Sequence, residues 1–147
     1  MATRRGSRHT SRELALRALF QADVARTAAE ETIESVFSQA HYAPQTLAFG
    51  QELARGALCH LPEIDKAIER YARGWTLERM ANVDRNILRL AVFELLYVPD
   101  TPPSVAVDEA VELAKRYSTE ESGRFVNGIL GNVIRNLGQE RAELERP

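Results

Sequence analysis

The stretch from Val83 to Val98 constrains this chain more than any other. Ile87, Leu88, Ala91, Val92 and Leu95 recur at helical spacing, and Leu90, Phe93 and Tyr97 form a second apolar row on another side. A surface helix needs one apolar stripe, whereas a helix with two must be covered on more than one face. The spacing therefore predicts a central helix with the rest of the chain built around it. Asp84 falls in its first turn, where a carboxylate meets the positive end of the helix dipole. Pro99, Pro102 and Pro103 end the helix and begin a loop. Arg89 and Glu94 interrupt the run, and nowhere do about 18 apolar residues follow one another, so no membrane span is expected.

Six further helical segments can be read, and no convincing strand. Thr10-Ser-Arg-Glu13 has capping-box spacing for a first helix, with Ser7 as a rival cap, and Leu16, Leu19, Phe20 and Val24 as its buried stripe. If that helix runs back through the N-terminal arm, Arg5, Arg8 and Arg12 share one side of it. Thr27-Ala-Ala-Glu30 repeats the capping spacing before Ile33, Val36, Phe37 and Ala40. A third helix spans about 45–60, with Leu53, Ala54, Ala57, Leu58 and Leu61 as its row. Pro62 suits the first turn of a fourth, which buries Ile64, Ala67, Ile68 and Tyr71 and stops at Gly74. Trp75 to Met80 reads as a short turn or helix. Ser104 can cap a sixth element lined by Val107, Ala110, Val111 and Ala114. Thr119 to Ser122 reads as a polar loop and cap. The last helix then buries Val126, Ile129, Leu130, Val133 and Leu137 and ends at Gly138. Residues 139–147 are charged and expected to fray. Loops are short, as in a compact helical bundle.

The totals allow one domain with one good core. At 44% hydrophobic and 27% charged residues the chain has the composition of an ordinary globular protein. Its single cysteine, Cys59, has no internal disulfide partner, which fits a reducing compartment. Residues 1–12 are basic without an apolar core, so no secretory signal is expected. The formal net charge of -2 hides an asymmetry. Up to Arg17 the chain has Arg4, Arg5, Arg8, Arg12 and Arg17 against Glu13, whereas the remainder has 14 basic and 20 acidic residues. A basic end on an acidic body suggests a local footprint for a polyanion. The cations are arginines except for Lys66 and Lys115, and the planar guanidinium suits phosphate. Genome bias explains the type of the scattered arginines, but not the N-terminal cluster.

Several chemistries find no support. His9, His41, His60 and Cys59 lack the clustered spacing of a metal site, and no phosphate-binding glycine loop or dinucleotide fingerprint occurs. Gly128-Ile-Leu-Gly131 matches the loose GxxG of nucleic-acid clamps, yet it lies in an apolar helical run, where small residues for close helix packing are the expected reason. Asp108 and Glu109 are neighbours on a helix and diverge by about 100°. No catalytic residue, metal or cofactor is expected.

Four blocks carry a resemblance. They are Arg12-Glu-Leu-Ala-Leu-Arg-Ala-Leu-Phe20, Asp84-Arg-Asn-Ile-Leu-Arg-Leu-Ala-Val-Phe-Glu-Leu95, Val105-Ala-Val-Asp-Glu-Ala-Val-Glu-Leu-Ala-Lys115 and Phe125-Val-Asn-Gly128. In this order and spacing the chain resembles the NusB family of transcription antitermination factors from about Arg4 to Leu137. The resemblance implies an all-α, single-domain bundle of about seven helices in two packed subdomains, without enzymatic activity. On this reading residues 1–138 form the RNA-binding helical domain, with a basic arm over 1–10 and a tail over 139–147.

The family's function implies a cytoplasmic protein that binds the boxA element of nascent ribosomal RNA transcripts. It does so with a small-subunit ribosomal protein, called NusE in this role. Other Nus factors and RNA polymerase are indirect partners. The implied RNA-binding residues are Arg4, Arg5, Arg8 and Arg12 on the first helix. At the start of the last helix they are Glu121, Ser122, Arg124, Phe125 and Asn127, with Tyr71 as a further ring. Single-stranded RNA is held by cations along its backbone and by flat groups under its bases. Phe125 and Tyr71 each have a second reading as core residues, and Asn127 has one as a local turn residue. Asp84 is implied in the ribosomal-protein contact, and its place in the helix dipole is an equal alternative. Gly6, Ser7 and His9 interrupt the arginine run that some members carry. The binding surface expected from this reading joins the front of the chain to the start of its last helix.

Two other functions compete. The chain could be the substrate-binding part of an rRNA-modifying system, since certain ribosomal RNA cytosine methyltransferases carry a similar helical domain. Its length and lack of a Gly-rich donor loop speak against a methyl-donor site. It could also be a helical protein–protein scaffold without RNA binding. Family members are monomers or dimers, so a homodimer stays open.

Overall fold

The computed structural model describes residues 4–146, with side chains from Arg8 onward. Among the described residues there are eight α-helices, one 3-10 turn and no strand. The chain divides into two compact units, Met1–His60 and Leu61–Pro147. No helix of the described residues is long and apolar enough to cross a membrane.

The first unit holds α1 (Arg4–Ala25), α2 (Ala29–Phe37) and α3 (Pro44–Cys59). α1 packs mainly on α3, and α2 covers both. The α1–α3 seam is made of small residues. Ala15, Ala18, Ala54 and Ala57 are fully buried, and Ser11 donates a buried hydrogen bond to the Thr46 carbonyl at 2.7 Å. Gly50 sits where the three helices meet. A Cβ there would lie 2.7 Å from the Phe37 ring and 3.1 Å from the Ser11 carbonyl oxygen.

The second unit holds α4 (Leu61–Tyr71), the 3-10 turn Leu77–Arg79, α5 (Asn82–Tyr97), α6 (Pro103–Tyr117), α7 (Glu120–Arg135) and α8 (Leu137–Leu144). α5 touches α4, α6, α7 and α8, as its two apolar rows require. Every residue from Leu90 to Leu96 is buried. Arg89, which interrupts the apolar run, forks onto Asp65 of α4 through two hydrogen bonds of 2.9 Å. α6 and α7 form an antiparallel hairpin around Ser118 and Thr119, and Gly123 lies against the Lys115 stem.

Several expectations differ from the structure; among them, Ala28 rather than Thr27 precedes α2, and α7 ends at Arg135 rather than at Gly138. The first helix is already running at Arg4, so neither Ser7 nor Thr10 caps it. The arm contains no proline, and Gly6 costs a helix only about 1 kcal/mol. Phe20 and Val24 are 38% and 56% exposed, whereas Leu16 and Leu19 are buried as expected, joined by Leu14, Ala15 and Ala18. α6 starts at Pro103, whose missing N–H costs nothing in a first turn, and Ser104 is not its cap. Gly128 and Gly131 are not packing glycines, because a Cβ at Gly128 meets nothing within 4 Å and one at Gly131 only an Arg135 nitrogen at 3.9 Å.

Finally, residues 139–144 are helical rather than frayed. α8 is tied down by Glu140, which accepts from Arg70 and Tyr71, and by Arg141, which donates to the Leu95 carbonyl at 2.9 and 3.1 Å. That carbonyl belongs to the last turn of α5, where helix carbonyls lack partners of their own.

Candidate nucleic-acid interface

In the first unit, Arg8 is exposed on α1 and its guanidinium lies 3.7 Å from the centre of the Phe49 ring. Phe49 comes from α3 and is almost buried, so the contact uses one ring face as a fixed seat for the cation. Arg12, one turn on, is 5.8 Å from the same ring and only 4% exposed. It belongs to the helix seam and not to the open surface. Arg4 and Arg5 are helical, and their side chains lie outside the described residues.

In the second unit, the start of α7 is held by a tight polar cluster. The Thr119 hydroxyl caps the helix by accepting from the Ser122 N–H at 2.9 Å. The Ser122 hydroxyl is 2.9 Å from that of Ser118 and donates to Asp84 Oδ2 at 3.0 Å. Asp84 therefore is not the exposed carboxylate that a docking partner would meet. It is 8% exposed, with Oδ1 buried and without a hydrogen-bond partner, and it anchors α7 from the first turn of α5. Ser122 is buried by the same contact. Glu121, Arg124 and Asn127 are exposed around it.

Phe125 is half-buried, and its ring meets Trp75 edge-on, with centroids 5.6 Å apart and planes at 69°. Arg79 stands over Trp75 at 5.3 Å. Tyr71 takes no part in this group. Its hydroxyl donates to Glu140 at 2.8 Å, and burial with that carboxylate raises the phenol above its ordinary pKa.

Sequence reasoning missed Trp75, Arg79 and Phe49. For the first two a signal existed: a lone tryptophan beside a glycine turn, with an arginine four residues on. Phe49 looks like any core aromatic until α3 is laid against α1. The arginine-bearing α1 and the start of α7 belong to different units. Among the described residues no group of His, Cys, Asp or Glu could hold a metal ion.

A family model described as the NusB family matches residues 9–135. This chain belongs to the NusB family. A transcription antitermination protein NusB of Symbiobacterium thermophilum is 51% identical over 139 residues, covering 89% of this chain and 91% of that protein. Among solved structures, T. maritima NusB is 39% identical with a TM-score of 0.84, covering 97% of this chain and 99% of that one. A chain from a crystal structure of antitermination factors NusB and NusE in complex with dsRNA is 28% identical. It has a TM-score of 0.83 and covers 90% of this chain and 98% of that one. Arg12, Trp75, Asp84 and the α7 cluster lie inside the matched range of this NusB-family chain, and Arg8 lies one residue before it.

Proposed function

We propose that this NusB-family protein is a transcription antitermination factor, a binding protein without catalytic activity that takes RNA together with a NusE partner. The observation that carries this reading is the near full-length likeness to a chain solved with NusE and RNA. The finer reading is a boxA-type single-stranded element of a nascent ribosomal transcript, bound in the cytoplasm. NusE is then the small-subunit ribosomal protein, and Nus factors and RNA polymerase are reached through the complex. Arg8 and Arg124 supply exposed cations, and Phe125 supplies part of an aromatic surface. Arg4 and Arg5 of the first unit, and Glu121 and Asn127 of the second, are further proposed RNA contacts, whereas Arg12, Ser122 and Asp84 are buried supports within their own units.

A gel-shift titration tests this reading, with single-stranded boxA RNA, the same sequence as a duplex, and a scrambled strand. Each is run with and without the ribosomal partner. Joint binding of the boxA strand much tighter than binding by either protein alone is the expected result, since such cooperation is a coupling energy. Equal retention of the scrambled strand removes the sequence-selective reading.

A further inference from the structure

The second unit carries an aromatic surface that the resemblance does not assign. Trp75 is 44% exposed, a large apolar area to leave in water. The chain presents it deliberately. Gly74 takes a left-handed backbone at φ 78, and the Trp75 N–H closes the turn onto the Ala72 carbonyl at 2.8 Å. Phe125 meets the indole nearly at right angles and so braces the ring without covering it as a stacked partner would. Arg79 lies 5.3 Å from the ring centre, and its Nη1 donates to the Gly74 carbonyl at 3.3 Å. Arg85 holds the following turn by donating to the Leu77 carbonyl at 2.8 Å. A held indole, a bracing phenyl ring and an adjacent guanidinium are the groups that stacking on a base beside its phosphate requires.

We propose that Trp75, braced by Phe125 and flanked by Arg79, stacks on one unpaired base of the bound RNA. This deepens the RNA-binding reading and rests on it. The occupant is a nucleobase and not a protein side chain, because the indole meets a second ring, Phe125, and has the Arg79 guanidinium over it, a combination that suits a base beside its phosphate. Stacking tolerates any base, so the site adds affinity more than sequence choice.

Trp75 is the only tryptophan in the chain, so its fluorescence reports on this site alone. The full chain is titrated with single-stranded boxA RNA and with the ribosomal partner present, following gel shift and fluorescence together. Quenching that tracks the shift is expected. Trp75→Leu should lose about five- to a hundred-fold in RNA affinity, and Trp75→Phe should recover part of it, with melting temperatures unchanged. RNA binding with unaltered fluorescence and a fully active Trp75→Leu would overturn the stacking proposal and leave the family reading intact. Trp75→Leu that keeps RNA but loses the ribosomal partner overturns it in favour of a protein contact. Failure of the unaltered chain to bind RNA under any of these conditions overturns both.

Discussion

Two glycines show how much a single hydrogen decides. Gly50 lies where α1, α2 and α3 converge, with no room for a Cβ: the nearest atoms would be the buried Phe37 ring at 2.7 Å and the Ser11 carbonyl oxygen at 3.1 Å. The ring must shift out of a packed position, and the Ser11 oxygen belongs to a helix that cannot move alone. Gly50→Ala should cost about 1–3 kcal/mol by overpacking. Gly128 is the opposite case, an exposed position inside α7 with nothing within 4 Å of a Cβ. Gly128→Ala should stabilise by about 0.5–1 kcal/mol, because alanine loses less backbone freedom in a helix. Denaturant unfolding of both variants checks the pair. An unchanged midpoint for Gly50→Ala would show that the three-helix junction can relax, and a drop for Gly128→Ala would show that the glycine has a local role. Sequence alone ranks these positions wrongly. Gly128 and Gly131 sit at a suggestive spacing in an apolar run, whereas Gly50 has no pattern around it. Contacts between distant helices, not spacing, decide which glycine is required.

Among the elements, α8 is held more by charge than by apolar surface. Arg70 of α4 donates to Glu140 and, at 2.9 Å, to Glu143. Those hydrogen bonds raise the Arg70 pKa, and the Arg70 hydrogen bond draws Glu143 below the ordinary glutamate value. A carboxylate with a lowered folded pKa contributes stability that is present above its unfolded pKa and is lost as pH falls through the folded value. The last turn of α8 should therefore be held at neutral pH and loosen below the ordinary glutamate range. Arg70→Met should produce the same loosening at pH 7. Amide exchange along α8, followed as pH is lowered, tests this. Protection that is flat with pH and indifferent to Arg70→Met would move the weight to Leu137 and the Arg141 contact with Leu95. This also explains why α8 was not legible in the sequence. Its partners lie about 70 and 46 positions away, and a charged segment without an apolar stripe reads as a tail. The central helix was legible because two apolar rows admit one arrangement. Helix starts were not, since Ser7, Thr10 and Ser104 are good caps only where the chain stops being helical. Of the candidate site, exposed Arg8, Arg124 and the Phe125 position were readable. The burial of Arg12, Ser122 and Asp84 was not, because it depends on which helix lies opposite.

At the scale of the whole chain, a protein of formal net charge -2 is proposed to bind a polyanion. Long-range attraction by total charge does not supply the affinity, so a few local cations must. Each phosphate neutralised on a single strand adds about 0.7 to the slope of log affinity against log salt. Arg8 lies in the unit ending at His60 and Arg124 in the unit beginning at Leu61. If each touches a phosphate, Arg8→Ala and Arg124→Ala should each flatten the slope by about 0.7, and the double variant by about 1.4. Trp75→Leu should lower affinity at every salt concentration with an unchanged slope, because stacking releases no counterions. Salt titrations of the unaltered chain and the four variants against one boxA strand, with the ribosomal partner held saturating, separate the two kinds of contact. A double variant no flatter than one single variant would mean that only one unit grips the backbone. A flattened slope for Trp75→Leu would mean that the ring acts by placing Arg79 on a phosphate, and not by stacking.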